Sequence, residues 1–277
     1  MKIFSSLLTI LLLFGTILVK AQNGPTPVAV FAQKIAKEKA PQIIDARSAE
    51  EFALNHINGA IYLSPNDADY EQKLKSFNSN KSVFVYSIGN GRSAVLAKDL
   101  RNRGFQEVYE LEGGIGSWVG AGNAIFTNAD KPLSKNAYDQ LVASNKVVLV
   151  DVGSKYCGAC KKVKPVLETI RSEYGTNLKI VEIELEDSPQ VIADLKTVKV
   201  FPTLILYQNG KIVYKNTTSN YKKVLIINFV KSHEAPHRSY KVPLLVYYPD
   251  LDRQFQQTLI DPLIDLLYCS PISSFFE

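Results

Sequence analysis

Residues 157–160 read Cys-Gly-Ala-Cys, and no other stretch restricts the fold of this chain as strongly. Residues three apart on a helix share a face, so two cysteines at this spacing can close a disulfide on a first helical turn and reopen it. The run before them, Val147-Val148-Leu149-Val150-Asp151, reads as a buried strand. In the run after them Val163, Val166, Leu167, Ile170 and Tyr174 recur at helical spacing and mark one apolar face. The pair is therefore expected where a strand hands over to a helix N-terminus. Backbone N–H groups and the helix dipole favour a thiolate over a thiol there.

The length of 277 residues suits two domains rather than one. At the front, Lys2 is followed by an apolar stretch over residues 3–19, and Val19-Lys20-Ala21 offers a small-residue cleavage site before Gln22. That pattern predicts a secretory signal peptide over residues 1–21, the alternative being an uncleaved anchor of barely spanning length. Cleavage leaves no stable membrane span and an exported chain, periplasmic or secreted, in an oxidising space where a Cys-x-x-Cys pair finds disulfides to work on. The net charge of +5 falls to +3 without Lys2 and Lys20, and the remaining charges are mixed, with no basic stripe. Nucleic acid is therefore excluded as an expected partner. Three cysteines, Cys157, Cys160 and Cys269, are too few for a stapled scaffold and leave Cys269 buried alone or paired between chains.

Strands and helices alternate along both halves, which predicts an α/β architecture with a mainly parallel sheet in the first half. In residues 25–128 the expected strands are 42–45, 83–86 and 108–111. The expected helices surround Phe31 and Ile35, run over 49–55, and run over 92–103 with Gly104 as a stop. Residues 129–132 read as a joint. In residues 132–233 the expected order is α-β-α-β-α-β-β-α: a helix capped by Ser134, the strand into Asp151, the cysteine helix to Gly175, strand 178–184 and a short helix after Ser188-Pro189. Strands 203–207 and 211–214 then flank an Asn209-Gly210 hairpin turn, and an amphipathic helix covers 221–230. The tail, residues 234–277, fits neither unit.

The second unit resembles thioredoxin. The resemblance rests on the dithiol, on Asp151 six residues before Cys157, on Pro165 five residues after Cys160, on Phe201-Pro202-Thr203 and on the Asn209-Gly210 turn. It implies a thioredoxin fold and a protein-disulfide oxidoreductase that exchanges with protein thiols and disulfides and with a separate electron donor or acceptor. It implies no cofactor beyond the redox-active disulfide itself. Cys157 would attack as thiolate, Cys160 would resolve the mixed disulfide, and Asp151 would relay protons to Cys160. Pro202 would be cis, with its neighbours holding a substrate edge-on. Tyr156 and the Gly158-Ala159 dipeptide depart from the family pattern. Glu182 stands where many relatives place a lysine, so two acids would raise the Asp151 pKa. Lys155, Lys161, Lys162 and Lys164 would favour the Cys157 thiolate. A zinc site completed by His233 and His237 is the competing reading of the cysteines, but more than seventy residues separate the pairs, and no metal is expected. A static structural disulfide is a second alternative, disfavoured because exposure at a helix start makes a disulfide reducible.

The first unit resembles rhodanese domains. Ile44-Asp45-Ala46-Arg47 with Glu50, Glu51 and Phe52, then His56 to Ile61, follow the opening signature of that family, and Leu111 to Trp118 follow its closing one. The corresponding active loop is residues 87–93, where relatives carry a cysteine first and this chain carries Ser87. A hydroxyl cannot hold a persulfide and the loop offers no base, so sulfurtransferase activity is not expected. Ser87, Gly89, Gly91, Arg92 and Ser93 form a possible anion-binding loop at a helix start. The alternative is a structural loop in which Arg92 pairs with Asp45 or Glu112, and His56 reads as a structural hydrogen bonder. Two other functional readings stay open: a binding or scaffold protein with incidental cysteines, and a carrier that accepts sulfane sulfur on Cys157.

Overall fold

The computed structural model describes residues 24–216. The signal segment, the helix expected over 221–230, the tail, Cys269, His233 and His237 lie outside these residues.

In the first half, strands β1 (Gln42–Asp45), β3 (Ala60–Tyr62), β4 (Val83–Tyr86) and β5 (Val108–Glu110) form a parallel sheet in the order β3-β1-β4-β5. Strand β4 is buried throughout, as a sheet covered on both faces demands. Its residues divide by parity. Phe84 and Tyr86 join a cluster with Phe31 of α1 (Val28–Lys37), whereas Val83 and Val85 join Leu96, Ala97 and Leu100 of α4 (Gly91–Asn102). Phe31 meets the rings of Phe84 and Trp118 edge-on at 5.4 and 6.1 Å.

Helix α2 (Ala49–Leu54) starts at a capping box between Ser48 and Glu51. It stops before Asn55, which begins a short strand β2 (Asn55–Ile57) paired antiparallel with β6 (Ile125–Thr127). The sequence pattern carries the helix through Asn55. The Asn55 side chain instead accepts a bond from the buried Arg47 guanidinium, 3.0 Å away. Arg47 also grips both oxygens of Asp45, and Tyr86 donates to Asp45 Oδ2 at 2.8 Å. This fully buried network ties β1, β2 and β4 together. Strand β3, helix α3 (Tyr70–Leu74), helix α5 (Gly114–Gly120) and β6 carried no sequence expectation of their own.

The second half has a four-stranded sheet in the order β10-β9-β7-β8. Strand β7 (Val147–Gly153) lies parallel to β8 (Leu178–Glu184) and antiparallel to β9 (Thr203–Gln208), which turns back into β10 (Lys211–Asn216). Asn209 and Gly210 both have positive φ, 51° and 73°, the backbone that a two-residue hairpin turn requires. Helix α6 (Lys135–Ala143) is capped by the Ser134 hydroxyl, helix α7 (Gly158–Tyr174) carries the dithiol, and α8 (Pro189–Leu195) begins with its proline at the first position.

Both halves fall in one compact unit and share a core. A single apolar cluster runs from Phe31 and Trp118 through Ile115 and Val119 to Val198, Phe201 and the two cysteines. The seam is made by α5. A methyl group at Gly120 would collide with the Val198 carbonyl, and one at Gly116 would lie 3.0 Å from the Phe201 ring. Glycine at these positions lets the helix backbone lie directly on residues 198–201.

Candidate active site

Cys157 caps α7 and is disulfide-bonded to Cys160, with the Cα atoms 5.2 Å apart and Cys157 Sγ accepting from the Cys160 N–H at 3.1 Å. A sulfur at the first turn of a 17-residue helix sits where the macrodipole stabilises negative charge. The Phe201-Pro202 bond is cis. Thr203 Oγ1 closes the turn before β9 by donating to the Val200 carbonyl at 2.7 Å.

Exposure differs from the sequence expectation. Cys157 is the more open of the two residues, but only 5% exposed against 2% for Cys160. Cys157 opens instead onto a cavity of about 560 Å³, which it lines with Tyr156, Lys161 and Phe201. The facing wall comes from the first half: Glu51, Ser87, Gly89, Gly91 and Arg92. The two motifs read separately in the sequence thus meet across one space. Ser93 does not line it.

Asp151 lies on β7, 5% exposed, two residues before the Gly153 that faces Cys160. Burial, followed by the negative charges of Glu184 and Glu182, pushes its pKa up to about 7, while Lys164 pulls the other way. The acid pair expected from Glu182 alone is therefore a trio. Glu184 lies across the ladder from Gly153, where a methyl group would be 3.0 Å from Cys160 Sγ and 3.7 Å from Glu184 Oε2. Among the described residues, neither Asp151 Oδ1 nor Glu184 Oε2 finds a hydrogen-bond donor. Burial also raises the Glu184 pKa, against the opposing pull of Lys164. Strand periodicity carries the signal for Glu184, since it lies two residues from Glu182 and so on the same face.

The lysines divide their work. Lys164 on α7 reaches Glu182 at 3.5 Å and Glu184 at 3.4 Å, and so faces the acids of β8 rather than Cys157. Lys155 pairs with Asp187 at 2.7 Å. Lys161 is the one that lines the cavity beside Cys157.

The loop at Ser87 is satisfied from within. Ser87 Oγ donates to the Gly89 carbonyl at 2.7 Å, Ser93 Oγ donates to Glu110 at 2.9 Å, and Asn90 bonds Glu110, Leu111 and Gly113. Arg92 pairs with neither Asp45 nor Glu112. Asp45 is already taken by Arg47, and Arg92 forms a two-pronged bond to Glu51 at 2.6 and 2.8 Å. Burial raises the Glu51 pKa, but the Arg92 bonds and the Ser48 N–H outweigh it and hold the carboxyl below the usual range. His56 bonds the Phe52 carbonyl at 2.8 Å and stacks between Phe52 and Phe126, a structural role.

Among the described residues no helix is long and apolar enough to cross a membrane, and no three histidine, cysteine or acidic side chains gather as metal ligands would.

Comparison with known proteins assigns both halves. Residues 130–232 match the family model for thioredoxin and residues 28–121 that for the rhodanese-like domain. Thioredoxin of Mycobacterium bovis is 36% identical over 86 residues, covering 31% of this chain and 73% of that protein. Thioredoxin of Porphyra purpurea is 35% identical over 76 residues, covering 27% and 70%. Among solved structures, a mutant thioredoxin from Halobacterium salinarum NRC-1 is 25% identical, with 41% of this chain and all of that one covered and a TM-score of 0.34.

Proposed function

Because this chain belongs to the thioredoxin family through its second half, with a rhodanese-like domain before it, we propose that it is an exported thiol–disulfide oxidoreductase that exchanges disulfides with protein substrates. The observation that carries this reading is the Cys157–Cys160 disulfide at the start of α7, with Asp151 buried on the strand that leads into it and Phe201 of the cis-proline turn beside it. In the reduced protein the helix N-terminus and Lys161 favour the Cys157 thiolate. That thiolate attacks one sulfur of a substrate disulfide, forms a mixed disulfide and expels the first substrate thiolate. Cys160 then attacks Cys157 Sγ and expels the second. Its proton goes to Asp151, whose pKa of about 7 lets it accept and return a proton near neutrality. Two electrons pass from dithiol to substrate, and a separate thiol or disulfide partner resets the pair.

The rhodanese-like half carries Ser87 at its loop and no cysteine, so it transfers no sulfur by the persulfide route. Export rests on the apolar segment over residues 3–19 with its small-residue site at Ala21. The test is Cys157→Ser, which is expected to abolish reduction of insulin driven by dithiothreitol. Retained reduction refutes the assignment.

A further inference from the structure

We propose that the cavity between the two halves is the substrate pocket of the dithiol, that the Ser87 loop is its second wall, and that it selects a low-molecular-weight disulfide bearing carboxylates. This rests on the oxidoreductase reading above and adds a small-molecule substrate class to the protein disulfides proposed there.

Three observations carry the proposal. First, Cys157 is 5% exposed and opens onto this cavity, so a substrate sulfur reaches it through that space. Second, α5 covers part of the stretch that leads to the cis proline. Helix α5 lies on it so closely that Gly120 leaves no room for a methyl group beside the Val198 carbonyl, and Gly116 lies against the Phe201 ring. Gly113 crowds the Lys199 carbonyl in the same way, so the Val198 and Lys199 carbonyls face the first half rather than an incoming chain. Third, the volume of about 560 Å³ falls within the range of small-molecule pockets, about 300–1,000 Å³.

The charges on the walls choose among small disulfides. Glu51 and Arg92 neutralise each other through their two-pronged bond, and Arg92 is the half that faces out, 42% exposed against 2% for Glu51. Lys161 has no ion-pair partner among the described residues and leaves the pocket with a surplus positive charge. A carboxylate beside the substrate S–S bond offsets that charge, and an ammonium is repelled by it. In the reaction Cys157–S⁻ and R–S–S–R give Cys157–S–S–R and RS⁻. Cys160 then closes the protein disulfide and releases the second RS⁻. The dithiol is oxidised by two electrons, the small disulfide is reduced by two, and a dithiol reductant must restore the protein.

The test uses the full chain, reduced, with two disulfides of similar length and opposite charge: dithiodiglycolate and cystamine. Each rate is divided by that of free dithiothreitol with the same disulfide, which removes the intrinsic difference between them. The normalised rate is expected to favour dithiodiglycolate by about tenfold. Lys161→Gln is expected to abolish most of that preference. Gly91→Phe adds a ring at a pocket-lining position where a Cβ meets nothing within 4 Å, and it is expected to slow dithiodiglycolate by roughly tenfold or more with an unchanged melting temperature. Equal normalised rates for the two disulfides, or a Gly91→Phe protein as fast as the parent, overturns the pocket while leaving the oxidoreductase standing. A Cys157–Cys160 bond that dithiothreitol cannot open overturns both.

Discussion

Two loops in this molecule are built alike: a buried strand, a short turn and the N-terminus of a long helix, once at Ser87 and once at Cys157. Each has a buried carboxylate in its sheet, Glu110 on the strand beside the first loop and Asp151 on the strand leading into the second, both 5% exposed. Glu110 receives hydrogen bonds from Ser93 and Asn90. Asp151 leaves Oδ1 without a donor among the described residues and faces two further acids. Structural sites satisfy their buried polar groups, and unsatisfied ones mark either strain or chemistry. The loop without a sulfur is a fully bonded scaffold element. The loop with two sulfurs has an acid with a pKa of about 7 on the strand that leads into it. The comparison predicts opposite responses to removing charge. Deleting a buried ionic group should destabilise the first half, whereas neutralising the acid of the second should stabilise the protein and slow its chemistry.

The largest effect is expected at Arg47, in the network that fixes the first sheet. Arg47→Ala leaves the Asp45 carboxylate buried with only the Tyr86 hydroxyl and the residue 47 N–H to hold it. Breaking a buried pair by removing one partner costs about 3–5 kcal/mol. Because the halves share one core, urea denaturation should show a single transition moved to much lower urea. A shift confined to a separate first transition would break the picture of one cooperative unit.

Asp151→Asn should move the other way. The folded pKa of about 7 lies above the ordinary value of 3.8, so the folded protein binds this proton more tightly than the unfolded chain. Below about pH 4 the group is protonated in both states and costs nothing. As pH rises towards 7 the unfolded chain releases the proton first, and stability falls until the folded group also ionises. Above pH 7 the buried charge is a standing penalty of roughly 2–4 kcal/mol, which Asn removes. Melting of parent and variant should therefore coincide near pH 4 and separate at pH 8 with the variant more stable. Exchange by the variant should be slower, and its rate should lose an inflection near pH 7. A variant less stable than the parent at pH 8 would mean that Asp151 is held charged by a partner.

Much of this was legible in the residues. The dithiol, the strand before it, the helix after it and the Asn209-Gly210 turn all follow local rules of period and turn chemistry, and the structure places them as read. The seam between the halves was not legible. Residues 113–120 contain four glycines, which lower helix propensity and gave no helix expectation. The helix forms because Gly116 and Gly120, one turn apart, let its backbone rest on Phe201 and Val198. That reason exists only once the second half is in place. Arg92 was misassigned for a similar cause. Its acid, Glu51, belongs to a signature in the sequence, but only the capping box at Ser48 turns that carboxylate towards the loop. Glu184 could have been found, since a period of two from Glu182 puts it on the face of Asp151.

The smallest effect tests the scaffold loop itself. Ser93 is fully buried and gives its hydroxyl proton to Glu110 Oε1 at 2.9 Å. Asn90 Nδ2 donates to the same oxygen at 2.9 Å. Ser93→Ala therefore removes one of two donors rather than stranding the carboxylate. The expected loss is about 1 kcal/mol, the net worth of an ordinary hydrogen bond, and not the larger penalty of an unsatisfied buried charge. Urea denaturation of Ser93→Ala and of Ser93→Ala with Asn90→Ala separates the two cases. The double variant should lose clearly more than the sum of the singles, because only then is Glu110 left without a side-chain donor from this loop. Strict additivity would show that Glu110 finds another donor, and the contrast drawn between the two loops would then rest on Asp151 alone.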